Sequence, residues 1–574
     1  MWLLLGLAAC VVVLWHLAVT VAGWLSSAPA RPRLQESLAA ILRSPFNPLA
    51  GYGGSGLPPA WLVWLLFVAG MTLTVSAVWW WMLRRKRRPR REGIATAKQL
   101  APFLGEQAAR KLARQTRPRM EGRDRAPIAE VAMPMGRESE TGQPLFASHE
   151  DSVAVVAGPR SFKTSAVLVD AVRSAPGPCI AVSTKADLLE PTYLARKRKG
   201  RVWVFDPTDI IGWPTGLRWS PIAGCEDPDA AVHRAEGFIA AMPKDANTRN
   251  ADFFDKQAQI VVRCFLHAAA LSSSSWEQVV EWSHRIDSPT LPPKTVLRSH
   301  PGAAPLYALQ LETATSGNIM DGPVDSTAKT LAGMMAPFAS PRLLSVLSPE
   351  PGEGFDVPAF LNSSDTIYIM TGDGESSAPL VTAFVNEIIR VARRTSQRLV
   401  PPRLDPPLRV VIDEVGQCPL PNLPPLMSDS GGRGVTVLIG SQGLGQARRR
   451  WGEDGANEVF SSATAKLIMG GTSENDFLER MSQLADEVDV ESESTTLSHE
   501  GGQSVTTGYR TRRVIRPAEI RQLPPAHALL LYRQAPATIA RFAPWWEAEW
   551  ADDARASQRE VAAIIAGAGL EGMR

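Results

Sequence analysis

Cysteine is scarce in this chain: Cys10, Cys179, Cys225, Cys264 and Cys418 lie far apart and show no CxxC spacing. That excludes a disulfide framework or a zinc ribbon, and the five read as small buried residues of a reducing compartment. An excess of one charge is missing too. The chain has 61 basic and 58 acidic residues, and a net charge of +3 is too near balance to mark a nucleic-acid binder by itself. No internal repeat is visible. What the chain does have is length, since 574 residues suffice for several domains with ample core.

It also has long apolar runs at its start. Trp2 to Leu25 and Pro59 to Leu83 are each long enough to cross a bilayer, which takes about twenty apolar residues of helix. Trp61, Trp64 and Trp79-Trp80-Trp81 stand near the ends of the second run, where indole rings suit the headgroup interface. A signal peptide is the alternative for the first run, but it lacks a basic start and a second span follows. The cluster "RRKRRPRR" at 84–91 stays cytoplasmic under the positive-inside rule. The reading is a two-helix anchor over 1–91, with spans at about 2–25 and 59–83, the N-terminus inside and Ser26 to Leu57 outside. A basic linker touching anionic lipid would predict the same side.

Residues 92–150 are polar, charged and rich in proline and glycine, with one short helix expected around Lys98 to Arg114. We read a membrane-proximal linker. From Ser152 the texture changes to the short apolar runs "SVAVVAG", "CIAVST", "VWVFD", "TIYIMTG", "RVVIDE", "VTVLIGSQ" and "AKLIMGG". Unbroken Val/Ile runs between helical stretches predict strands buried on both faces of a parallel sheet, in a doubly wound α/β domain. The alternation stops between 228 and 346, where helical patterns follow one another. That block reads as an all-helical subdomain inserted between a first part of the α/β domain (151–227) and a second (347–544). A Trp- and Ala-rich tail, 545–574, predicts one terminal helix.

Three candidate strand tips carry chemistry. After "SVAVV" comes the frame "AGPRSFKT", the layout of a phosphate-binding loop. In such a loop backbone N–H groups surround the β-phosphate, lysine reaches the β/γ oxygens and the Ser/Thr hydroxyl ligates Mg²⁺. The candidate cradle is Gly158, Pro159, Arg160, Ser161, Phe162, Lys163, Thr164 and Ser165. Ala157 stands where the first glycine is expected, and Phe162 where the last is. "VVIDE" ends in Asp413-Glu414: the aspartate can hold the Mg²⁺ shell, and the glutamate can orient and polarise the attacking water. "VLIGSQ" ends in Gln442, placed to sense a γ-phosphate or position water. An acidic pair or a polar residue ending any strand is the alternative for each alone. The three together, in this order, read as an ATP and Mg²⁺ site.

With these residues the sequence resembles the coupling-protein ATPases of conjugation and type IV secretion. The likeness covers most of the chain. It takes in the two spans, a loop similar to the family's "PTRSGK", then "STKADLL", "VWVFDP", "LRWSPI", "FFDKQA" and the long stretch from "VVIDEVGQ" to "GGTSEND". The resemblance implies a RecA-like P-loop motor with an inserted all-α subdomain, in an inner-membrane protein that assembles as a hexameric ring. The motor would move single-stranded DNA with an attached relaxase, or a protein substrate, towards type IV secretion channel proteins. By resemblance Arg160, Ser161, Lys163 and Thr164 bind phosphate and Mg²⁺, Asp413 and Glu414 serve metal and water, and Gln442 is the sensor. Arg433, in "GGRG", is the candidate trans-acting arginine, or else a solvated turn cation. Arg448-Arg449-Arg450 is either an ordinary solvated helix face or a channel lining that follows the DNA backbone. Nothing resembles a relaxase nucleophile and histidine cluster. Two rivals stay open: a related ring translocase of the chromosome-segregation or protein-export type, and a degenerate ATPase serving as membrane scaffold or substrate receptor.

Overall fold

The computed structural model describes residues 2–571 except 29–31, 45–46, 53–55, 86–91, 121, 124, 215, 242–250, 316–322, 351, 373–376, 419, 421 and 498–502. Most of the basic cluster that set the expected orientation therefore lies outside the described residues. The chain divides into two compact units, Met1–Arg91 and Glu92–Arg574, each described by itself.

In the first unit, helices Trp2–Leu25 and Ala60–Arg85 pack on each other. Trp15 is buried between them, edge to face with Trp64 at 5.0 Å and with Phe67 at 5.3 Å. Between them runs helix Leu34–Arg43, whose buried Ser37 hydroxyl meets His16 Nδ1 and the Tyr52 hydroxyl, each at 2.9 Å. Two membrane spans were expected. Among the described residues one stretch, Ala60–Ala77, is long and apolar enough to cross a membrane; the apolar stretch Val11–Leu25 is shorter.

The second unit is built on an eleven-stranded sheet in the order β2-β1-β13-β12-β9-β3-β8-β7-β4-β6-β5. The strands are β1 (Ala132–Glu138), β2 (Pro144–Ser148), β3 (Val153–Val156), β4 (Cys179–Ser183), β5 (Val202–Phe205), β6 (Thr366–Met370), β7 (Leu408–Ile412), β8 (Val435–Ser441), β9 (Ala465–Met469), β10 (Glu487–Leu497), β11 (Gln503–Arg513), β12 (His527–Tyr532) and β13 (Thr538–Arg541). β10 and β11 form a separate hairpin. The seven strands from β9 to β5 are parallel. They are the seven apolar runs read from the sequence, and the mixed α/β class expected there holds. Four antiparallel strands, β12, β13, β1 and β2, extend one edge.

This extension corrects the reading of 92–150 as a linker. Helices Ala97–Leu104 and Glu106–Thr116 and the pair β1–β2 belong to the fold, with Ala95 N–H bonded to the Ala537 carbonyl at 2.9 Å. Arg117 pairs with Asp405 at 2.6 Å, both side chains nearly buried. His149 Nδ1 lies 2.6 Å from Arg409, a cation buried in β7. Burial and then the Arg409 charge hold the His149 imidazole well below its usual pKa. β1 lies within the stretch read as rich in proline and glycine, Pro134 and Gly136 among them. In the fold they sit at a bulge between Pro134 and Arg137, where Gly136 has φ +77° and passes the Arg541 carbonyl too closely for a Cβ.

Between β5 and β6 the described elements from Pro228 to Leu347 are helical. Their core is continuous with that of the sheet: Phe238, Phe265 and Trp276 share one buried cluster with Ile180, Phe205 and Phe384. The first of these helices, Pro228–Ala240, lies so close on helix Ala378–Gln397 that a Cβ on Gly237 would stand 2.8 Å from Ala383 Cα. The inserted helices thus pack on helix Ala378–Gln397 and share one core with it. Cys179, Cys225, Cys264 and Cys418 are free and buried, as small core residues are.

Candidate nucleotide-binding site

Parallel strands place their carboxyl ends at one edge of the sheet, and open α/β sheets bind ligands there. β3 lies between β9 and β8, and β7 follows β8. Val156 pairs with Ser441 and Ile468, and Ile412 with Ile439, so the residues that leave β3, β7, β8 and β9 emerge side by side. The loop after β3 is stitched to both neighbours. Ala157 N–H donates to the Ser441 carbonyl at 3.0 Å, Gly158 N–H to the Gly470 carbonyl at 3.2 Å, and the Ser161 hydroxyl to the same carbonyl at 2.6 Å. A Cβ at Gly158 would stand 2.3 Å from the Gly471 backbone, so glycine is required. Pro159 and Arg160 form the exposed tip. Lys163–Leu168 is a π-helical turn, which continues as helix Val169–Ser174 and carries Thr164 and Ser165 in its first turn.

Lys163 is buried, with Nζ 2.8 Å from Asp413 Oδ1 and 2.7 Å from Glu414 Oε1. Burial by itself would lower its pKa, but the two carboxylates outweigh it and the net shift is upward. The Thr164 hydroxyl donates to Asp413 Oδ2 at 2.6 Å, and Gln442 Nε2 donates to Glu414 Oε1 at 3.0 Å. Glu414 Oε2 is buried and has no hydrogen-bond partner among the described residues. Lys163, Thr164, Asp413, Glu414 and Gln442, proposed from three separate stretches, thus form one connected cluster.

Arg433 is not part of it. It lies before the amino end of β8, the length of the strand (about 20 Å at 3.3 Å per residue) from Gln442, and donates to Asp429 at 3.0 Å. Of the arginine triplet, Arg448 is tied to Glu453 at 2.8 Å and to Glu474 at 3.5 Å.

Two residues were missed. A Cβ on Gly440 would come within 3.1 Å of Asp413 Oδ1 and Lys163 Cδ, so a bare backbone in β8 makes room for the lysine. Asp187, within the quoted "STKADLL", accepts from the Ser183 hydroxyl at 2.9 Å, and burial and the Asp413 charge push it up to about 6. Gly440 carried no signal in the sequence; Asp187 lay inside a quoted stretch, but its acid had no assigned role.

The donor set fits Mg²⁺. One hydroxyl and one carboxylate, 2.6 Å apart, offer hard oxygen ligands, and among the described residues no group of three or more His, Cys, Asp or Glu is arranged to hold a metal ion by itself. Mg²⁺ is ordinarily held by one or two protein oxygens together with phosphate oxygens and water.

Phe162 adopts φ +65° and Arg160 φ +60°. The left-handed region costs a residue with a side chain about 1 kcal/mol or more. The loop nevertheless holds the backbone shape that glycine would take. Phe162→Gly should therefore change the affinity for inorganic tripolyphosphate less than about three-fold. β-Branched Phe162→Val, still costlier at positive φ, should weaken it about ten-fold; calorimetry distinguishes the two.

The second unit is a mixed α/β fold on a large, mostly parallel sheet, with this cluster at the carboxyl edge of its parallel strands. Solved structures share it. The conjugative coupling protein TrwB, lacking its first 70 residues and unbound, matches with a TM-score of 0.51 at 17% identity, over 75% of this chain and 91% of that one. TrwB in complex with a non-hydrolysable ATP analogue matches with a TM-score of 0.53 at 15% identity, over 80% and 95%. Its complex with ADP and Mg²⁺ matches at 0.50 and 16%, over 71% and 89%. Residues 407–525 match the family model described as the TraM recognition site of TraD and TraG. A search of the curated proteins gave no match. The family these findings support is the one the sequence resembled, the conjugative coupling proteins.

Proposed function

We propose that this chain is a membrane-anchored ATPase that couples ATP hydrolysis to the transfer of single-stranded DNA, with its attached relaxase, into a type IV secretion channel. The observation that carries the reading is the convergence of Lys163, Thr164, Asp413, Glu414 and Gln442 at the tips of adjacent parallel strands. The bound states of TrwB and the TraD/TraG match over 407–525 support it.

In this reading the backbone from Gly158 to Ser165 cradles the phosphates and Lys163 turns from the acidic pair to the β/γ oxygens. Mg²⁺, when bound, neutralises phosphate charge. Thr164 and Asp413 would hold it, and Asp187 adds negative potential behind Asp413. Glu414 presents Oε2, which has no partner among the described residues, to a water molecule, while Gln442 fixes the other oxygen. Chemistry of this kind is positioning and electrostatics. Helices Trp2–Leu25 and Ala60–Arg85 are proposed as the inner-membrane anchor, with the second unit cytoplasmic. Ring assembly, expected to be hexameric, would bring Arg433 of one subunit near the site of another.

The test is ATP turnover by the full-length protein in detergent micelles, with and without single-stranded DNA. Turnover that rises several-fold with DNA is expected. No ATP binding in the presence of Mg²⁺ and DNA would defeat the motor reading in favour of a scaffold.

A further inference from the structure

The C-terminal segment reaches the loop that carries Phe162. After β13 the chain turns through Trp545–Glu547 and continues as helix Ala551–Glu571, packed along helix Leu189–Lys197. Ser557 fixes the docking: its hydroxyl donates to the Glu190 carbonyl at 2.6 Å and accepts from Leu194 N–H at 3.1 Å. Arg198 pairs with Asp553 at 2.6 Å, and the Arg173 guanidinium lies 4.4 Å over the Trp550 ring. This anchorage holds the Trp546 ring 5.4 Å from that of Phe162, edge to face at 86°. Trp545 supports Trp546 from another side, also at 5.4 Å. Phe162 and Trp546 nonetheless remain 37% and 38% exposed.

Two rigidly held, half-open aromatic rings offer a surface to another flat ring. Phe162 stands one residue from Lys163, whose side chain is buried on the acidic cluster while the Phe162 ring meets Trp546 and solvent. One short loop thus carries an ionic grip and an aromatic surface. We propose that Phe162 and Trp546 form the seat of the nucleobase whose phosphates the loop grips. The seat rests on the ATPase reading above and deepens it: the ring at position 162 gains stacking surface that glycine could not give, which offsets its strained backbone. Stacking reads any flat base, so little preference between ATP and GTP follows.

The test compares ATP with inorganic tripolyphosphate by calorimetry on the full-length protein with Mg²⁺. Wild type should bind ATP about ten-fold more tightly, the size of one base–aromatic stack. Trp546→Ala, and Trp546→Leu, which keeps bulk but no ring, should lose that preference while tripolyphosphate affinity stays within about two-fold, and Trp546→Phe should keep most of it. Equal losses for both ligands would make Trp546 a brace for the loop and overturn the seat, as would no loss for either. A wild type that binds neither ligand would instead defeat the nucleotide reading itself, and the seat with it.

Discussion

Lys163→Ala should abolish nucleotide binding and lower the melting temperature of the second unit. The first effect follows from losing the cation that meets the phosphates; truncating one partner of a buried charge pair costs about 2–5 kcal/mol, a loss of 30-fold or more in affinity. The second follows from the ion pairs that the lysine makes in the fold. Lys163 is the cation that separates Asp413 and Glu414, at 2.8 and 2.7 Å. Without it two carboxylates face each other in a largely buried site, and an uncompensated buried charge is strongly destabilising. Combining Lys163→Ala with Glu414→Gln should restore part of the melting temperature without restoring binding. Calorimetry and thermal melts check the two halves separately. Unchanged ATP affinity in Lys163→Ala would remove the loop from the mechanism.

Glu414→Gln should bind ATP as well as wild type or better, and hydrolyse it about 10²–10⁴-fold more slowly, the usual span for a lost general base. Its carboxylate has one oxygen held by Lys163 and Gln442 and one buried with no partner among the described residues. An amide can keep the first arrangement but cannot polarise water through the second position. Removing its charge also frees Lys163 from one of its two competitors, so retained or tighter binding accompanies the slow chemistry. A single-turnover measurement with saturating nucleotide tests this; a rate within a few-fold of wild type would assign water activation elsewhere.

The parallel half of the sheet was legible because strands buried on both faces must be apolar at every position, and such runs stand out. The edge was not, because β1 carries Pro134 and Gly136 at a bulge and β13, "TIAR", is short and mixed. The residues of the site that act through side chains could be read, since lysine after a small-residue turn and acids at a strand tip have chemical reasons to be there. Gly440 could not, because it acts by lacking a side chain beside Lys163. Phe162 looked like a defect in the sequence. In the fold its backbone has the left-handed shape of the glycine it replaces, and its ring has a partner nearly 400 residues away, which no local pattern could reveal.

The edge strands bear on how the protein can be cut. A fragment begun at residue 151, where the apolar runs start, would lack β1, and β13 would present a row of bare N–H and C=O groups to other chains. Unpaired edges of that sort recruit strands from neighbouring molecules and lead to aggregation. The same cut would strand the buried Arg409 and Asp405 without His149 and Arg117. A soluble fragment that keeps its sheet closed to such pairing has to start near Glu92, at the division between the two units.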